Sequence, residues 1–254
     1  MRLAITRKVS PDFRDCELSH RVREPIDEVL ASRQHQVYEQ SLVGLGCEVL
    51  SLPPEPELPD SVFVEDTAVV FDDFAIITRP GAESRRAETE SIAQLLLTHK
   101  ALRHIESPGT LDGGDVLVVG QRVFVGRSSR SNVSGIEQVR TILKPSGYEL
   151  NVVEVKGCLH LKSAVTMVGE GTLLINRNRV DAGAFDGLKL IDVDPSEPDG
   201  ANALLVGETV LFPSAYPATH GMLAHNGISV LPLELSELIK AEGAVTCCSL
   251  IFAL

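Results

Sequence analysis

Three features of the 254-residue chain predict a five-bladed α/β propeller of ββαβ-type repeats with pseudo-fivefold symmetry. A succession of strand, polar residue, hairpin and helix recurs at roughly 46-residue intervals, within the range of propellers and solenoids. A solenoid needs distinct caps, whereas here the N-terminal strand Arg2–Thr6 can supply the outer strand of the last unit and close a ring. Ring closure also removes exposed sheet edges. The chain therefore reads as one domain over residues 1–254, without linkers or low-complexity tracts.

The first copy runs through Cys47–Pro53, Ser61–Phe71 and Phe74–Thr78. Its helix is expected over about Ser84 to His99, where Ile92, Leu95 and Leu96 follow the 3.6 period. The second copy is Leu102–Glu106, Gly109–Gly120 and Arg122–Gly126, with a helix over Val133–Leu143 stopped by Pro145 and Gly147. The third is Glu149–Val155, Cys158–Val165 and Thr172–Asn176; the fourth is Leu188–Val193, Gly200–Val206 and Thr209–Pro213. Ile228–Leu233 opens the fifth, which ends in the cysteine segment Glu242–Phe252. Each second strand carries one polar residue: Asp66, Asp112, His160, Asn202 and Cys247, spaced 46, 48, 42 and 45 residues apart. A ring brings these five positions to one central mouth.

Composition narrows the function. Hydrophobic content of 44% with 4% aromatics and no Trp describes an ordinary globular core, and a chain this long buries enough surface to need no metal or disulfide. A net charge of −12 argues against nucleic acid and is compatible with a cationic small substrate. Five cysteines, an odd number without framework spacing, suggest reduced thiols in a cytoplasm. No apolar run approaches a membrane span, and Met1–Arg7 is too short and polar for a signal peptide.

Chemistry gathers at the expected mouth. Alternation puts Cys247 and Cys248 on opposite faces of a strand, so one can face a cavity while the other is buried. Cys247 is the candidate nucleophile. A free thiol is mostly protonated at neutral pH, so attack calls for a cationic neighbour such as charged His160, or for a cationic substrate. Asp112, in Thr110–Asp115, can orient the imidazole as the third group of a nucleophile–base pair. Asp60, Glu65 and Asp66 add carboxylates, and a unit-charge contact at about 4 Å is worth on the order of 4 kcal/mol at an effective dielectric near 20. A guanidinium would relieve their repulsion and donate paired hydrogen bonds. No HxH or HExxH spacing occurs, so neither a metal nor another cofactor is expected. Arg85 and Arg86 fall in the first turn of the helix expected from about Ser84, where the helix dipole disfavours cations, and Arg130 stands just before the next helix, the equivalent place one repeat later. That repeated placement points to a bound anion, such as a carboxylate. A guanidinium at one end and a carboxylate at the other describe an arginine.

The segments Asp60–Asp66, Ile77–Arg86, Gly109–Asp115, Leu159–Lys162 and Thr246–Leu250 together resemble dimethylarginine dimethylaminohydrolases, of the guanidino-group-modifying (pentein) superfamily. The resemblance spans essentially the whole chain and implies a five-bladed propeller acting on methylated arginine. It implies Cys247 as nucleophile, His160 as acid and then base, and Asp112 as its orienting group. It further implies that Glu65 and Asp66 hold the guanidinium with Asp60 nearby, that Arg85 and Arg130 bind the α-carboxylate, and that Phe63 covers the substrate stem. Leu18, in the loop Cys16–His20, would be the lid contact, and Ala241 would line the amino-acid end. Ala241 is smaller than the branched aliphatic usual there, and Gly243-Ala244 stands where some relatives have paired glycines.

The nearest rivals are an arginine deiminase or an amidinotransferase, generally longer chains with room for an inserted helical domain. Agmatine deiminase would not need carboxylate-binding arginines. A non-catalytic ribosome anti-association factor on the same propeller would not need thiol, imidazole and acid in register. The expected assembly is a monomer or homodimer.

Overall fold

The computed structural model describes all 254 residues. Strand β1 (Arg2–Arg7) lies between β15 (Leu250–Ala253), to which it is antiparallel, and β2 (Cys47–Leu52), to which it is parallel. Four more three-stranded sheets repeat that pattern. They are β3 (Ala68–Val70), β4 (Phe74–Ile77) and β5 (Ala101–His104), then β6 (Val116–Val119), β7 (Arg122–Arg127) and β8 (Glu149–Glu154). The last two are β9 (Val165–Gly169), β10 (Thr172–Ile175) and β11 (Lys189–Asp192), and β12 (Leu204–Val206), β13 (Thr209–Pro213) and β14 (Ser229–Leu233). Each blade is an antiparallel inner pair with a parallel outer strand; the pair is a hairpin in four blades and joins the two chain ends, β15 and β1, in the fifth. Five such blades make a five-bladed α/β propeller.

The parallel outer strand needs a crossover, and helices provide most of them. These are α1 (Glu28–Gly44), α2 (Glu88–Leu96), α3 (Val133–Leu143) and α4 (Pro217–His225), while α5 (Ser236–Lys240) precedes the last hub segment. Between β10 and β11 only the 3-10 turn Ala182–Phe185 fills that place. Caps match the sequence: Asp27 and Asn132 side chains accept from the backbone N–H groups of Leu30 and Gly135.

The repeat read from sequence is offset from the blades. Its opening strand is the outer strand of the preceding sheet, and β1 is the central strand of its blade rather than the outer one. The parallel pairing decides this: β7 takes as its outer partner β8, the strand after α3, while β5, the strand before the hairpin, pairs with β4 in the preceding sheet.

Apolar side chains fill five separate clusters where sheets and helices meet. From α2 come Ile92 and Leu96; from α3 come Ile136, Val139 and Leu143. Because these contacts lie between and outside the sheets, the hub can hold polar groups without breaking an apolar core. No helix is long and apolar enough to cross a membrane.

Candidate active site

The hub residues stand just ahead of the inner strands. Asp66 lies in the 3-10 turn Val64–Thr67, Asp112 immediately precedes Gly113–Asp115, and His160 precedes Leu161–Ser163. Cys247 also lies in a turn, its N–H donating to the Ala244 carbonyl, rather than in the strand that alternation suggested. At the hub the ladders end, and short turns satisfy backbone groups there that no strand partner can reach. One of these links crosses blades: the Glu65 N–H donates to the Cys247 carbonyl at 3.1 Å.

One small, partly enclosed pocket, about 10 Å³, is bordered by Asp60, Phe63, Asp66, Arg85, Arg130, His160, Ala241 and Cys247. Glu17, Leu159, Glu242 and Gly243 complete its wall. Three residues expected at the site are set back from it. Asp112 lies behind His160 and accepts from its Nε2 at 2.9 Å. Glu65 is turned to Lys162 at 2.6 Å and to the Thr246 hydroxyl at 2.7 Å, at the wall of a separate channel of about 480 Å³ between the inner strands. Neither Cys247 nor His160 borders that channel. Leu18 is half-buried against the apolar cluster that contains Phe13, Phe63 and Ala241.

The imidazole is gripped between two carboxylates. Its Nε2 meets Asp112, and its Nδ1 faces Asp66 at 3.8 Å. Burial opposes the charged ring, yet Asp66 and the hydrogen bond to Asp112 outweigh it and raise the His160 pKa to about 9. Burial likewise opposes ionised Asp66, but His160 and Arg85 hold it near 2. Gly114 makes this closeness possible: a Cβ there would come within 2.5 Å of His160 Nδ1 and 2.8 Å of Asp66. Burial drives the Cys247 thiol strongly upward, and Glu65 and Asp66 add to it, although the residue as a whole keeps some exposed surface. Cys248 is fully buried with its Sγ against the Ala244 carbonyl.

The two arginines differ. The Arg85 guanidinium donates to Asp66 at 2.7 Å, to Glu88 and to the Asp60 and Phe63 carbonyls. Arg130 donates through Nη2 to the Ser19 hydroxyl, while its buried Nη1 has no hydrogen-bond partner and lies 3.8 Å from Asp112. A buried cationic donor left unpaired is costly, and an anion in the pocket would satisfy it.

A family model described as arginine deiminase matches residues 54–202. The N(G),N(G)-dimethylarginine dimethylaminohydrolase of Streptomyces coelicolor is 40% identical over 250 residues, covering 97% of this chain and 95% of the relative. The chain belongs to the dimethylarginine dimethylaminohydrolase family. The Pseudomonas aeruginosa member is 37% identical over 228 residues, covering 89% of this chain and 90% of that one. A solved variant of that protein complexed with citrulline superposes with a TM-score of 0.93 at 34% identity, covering 98% of each chain.

Several residues of this family member escaped the reading of its sequence. Asp115 accepts from Ser128, Ser131 and the Leu161 N–H, so one buried carboxylate ties the Arg130 loop to the residue after His160. Burial lifts its pKa to about 6 despite His160 and the two hydroxyls. The signal was there in the second acid of Asp112-Gly-Gly-Asp115. Asn202, singled out only as a repeat position, brackets Thr246 by donating to its hydroxyl and accepting from its N–H. Gly243 lies against Phe63, where a Cβ would come within 2.2 Å of the ring. Asp66, Asp112 and His160 offer atoms close enough together to share a cation. The charged imidazole and Arg85 already supply positive charge to those carboxylates.

Proposed function

We propose that this chain hydrolyses Nω-methylated arginines, asymmetric dimethylarginine and monomethylarginine, to citrulline and dimethylamine or methylamine. One observation carries this reading: a single pocket has opposite demands at its two sides. A buried, unpartnered Arg130 nitrogen calls for a carboxylate, and the Cys247 thiol, kept protonated by burial and by Glu65 and Asp66, calls for a cation beside it before it can ionise. The similarity to a protein solved with citrulline supports it.

In this reading Cys247 is the nucleophile, His160 the acid and base, and Asp112 its orienting partner. Asp66 receives the guanidinium with Asp60 nearby and Glu65 held behind it by Lys162 and Thr246, Ala241 borders the amino-acid end with Leu18 above it, Phe63 covers the stem, and Arg130 binds the carboxylate while Arg85 holds Asp66 in place. A bound guanidinium offsets the carboxylates that hold the thiol up, so the thiol proton leaves to solvent as substrate binds. The thiolate then attacks the guanidinium carbon. His160, charged in the free site, gives its proton to the departing amine as the C–N bond breaks, leaving an S-alkylthiouronium on Cys247. The neutral imidazole next takes a proton from water, the oxygen adds to the same carbon, and the C–S bond breaks to release citrulline. No cofactor enters these steps. The whole chain acts as one domain, as a monomer or homodimer, and its five unpaired thiols suit a reducing cytoplasm.

Incubation with asymmetric dimethylarginine, arginine and agmatine, with citrulline and released amine quantified, tests the proposal. Equal amounts of citrulline and dimethylamine are expected from the first substrate, with slower turnover of the others. Faster turnover of arginine, or none of any of the three, overturns it.

A further inference from the structure

The thiol–imidazole pocket, at about 10 Å³, has room for about one water molecule and cannot admit an amino acid unless part of its wall moves. Next to it lies a cavity of about 400 Å³, bordered by His20, Arg21 and Tyr216. Leu159, Glu242 and Gly243 border both spaces, so they form the partition between them. Across this partition runs the strap of residues 16–21.

Glu242 holds that strap. Its carboxylate accepts from three successive backbone N–H groups: Ser19 at 3.1 Å, His20 at 2.5 Å and Arg21 at 2.6 Å. Consecutive amides converging on one anion form a nest. Two further ties reach pocket residues: the Glu17 N–H donates to Asp60, and the Arg130 guanidinium donates to the Ser19 hydroxyl. Glu242 also occupies a conformation that favours glycine. It follows α5 at φ 59°, its N–H donating to the Ile239 carbonyl and that of Gly243 to the Leu238 carbonyl. This is the left-handed position of a Schellman motif, where a side chain is disfavoured. The backbone gains nothing from a glutamate there; the strap does.

We propose that Glu242 is a positioning residue that latches the strap over the pocket, and that substrate passes through the neighbouring cavity when the latch opens. The latch rests on the reading of the thiol–imidazole pocket as the substrate site, and its test separates the two. Glu242→Gly removes the carboxylate while keeping the left-handed turn, so thermal stability should hold or rise; Glu242→Asp should restore part of the latch. Hydrogen exchange of the peptide spanning residues 16–24 should quicken in Glu242→Gly and much less in Glu242→Asp. For asymmetric dimethylarginine, KM should rise about tenfold in Glu242→Gly, with kcat changed less than about twofold. Unchanged exchange in Glu242→Gly overturns the latch, and faster exchange with an unchanged KM overturns its part in substrate passage. A wild-type protein that turns over none of the substrates but shows the exchange difference keeps the latch and discards the function.

Discussion

Arg85 and Arg130 stand at matching places in adjacent repeats, and both are buried, yet Arg85 is hydrogen-bonded to two carboxylates while Arg130 keeps one nitrogen without a hydrogen-bond partner. Each lies three residues before the first residue of its helix. In the first repeat that residue is Glu88, which binds Arg85 through both oxygens. In the second it is Val133, which can bind nothing. Arg85 is therefore a clamp on the protein's own acids, holding Asp66 beside His160. Arg130 keeps a donor in reserve. The same residue type in the same repeat position can serve the fold or the ligand, and the difference lies in what stands one helical turn further on.

The largest effect expected from breaking this contrast is on stability. Arg85→Ala leaves Asp66 and Glu88 buried without their cation and should cost about 3–5 kcal/mol, read by denaturant unfolding. Near-wild-type stability would mean that Arg85 is no more committed to the fold than Arg130. Next in size, Arg130→Ala should raise KM for asymmetric dimethylarginine about a hundredfold while leaving kcat and unfolding stability nearly unchanged, since it removes binding at a remote end of the substrate. A loss confined to kcat would move the carboxylate elsewhere. Val133→Glu makes the second repeat resemble the first; capture of Arg130 by the new acid should raise KM about tenfold.

The smallest effect concerns pH. The folded pKa of His160, about 9, lies above its ordinary value, so the stability from its ion pairs is full below about pH 6.5 and is lost as pH rises through about 9. Loss of the acid should make kcat fall over the same alkaline limb. Removing the Arg130 cation near Asp112 stabilises the imidazolium further, so Arg130→Ala should move that limb upward, by less than about one unit. A downward shift in the kcat–pH profile would show that Arg130 does not bear on the imidazole.

Sequence periodicity alone determined the five-bladed ring and the polar hub positions, because strand alternation, helix spacing and turn glycines are local properties written residue by residue. Helix α3 appears over the residues its spacing predicts, and α2 only in part, since Glu83–Arg85 forms a separate 3-10 turn ahead of it. Tertiary structure decided the rest. The blade phase follows from strand pairing across tens of residues, and the turn at Cys247 follows from five ladders ending at one hub. Glu65 and Asp66, adjacent in sequence, part company because one meets Lys162 and Thr246 while the other meets Arg85 and Gly114. Asp115, Glu242 and the free nitrogen of Arg130 acquire meaning only from partners distant in the chain. Burial makes such pairings matter: away from water an unpaired charge is costly, and only the folded chain determines which charges are left unpaired.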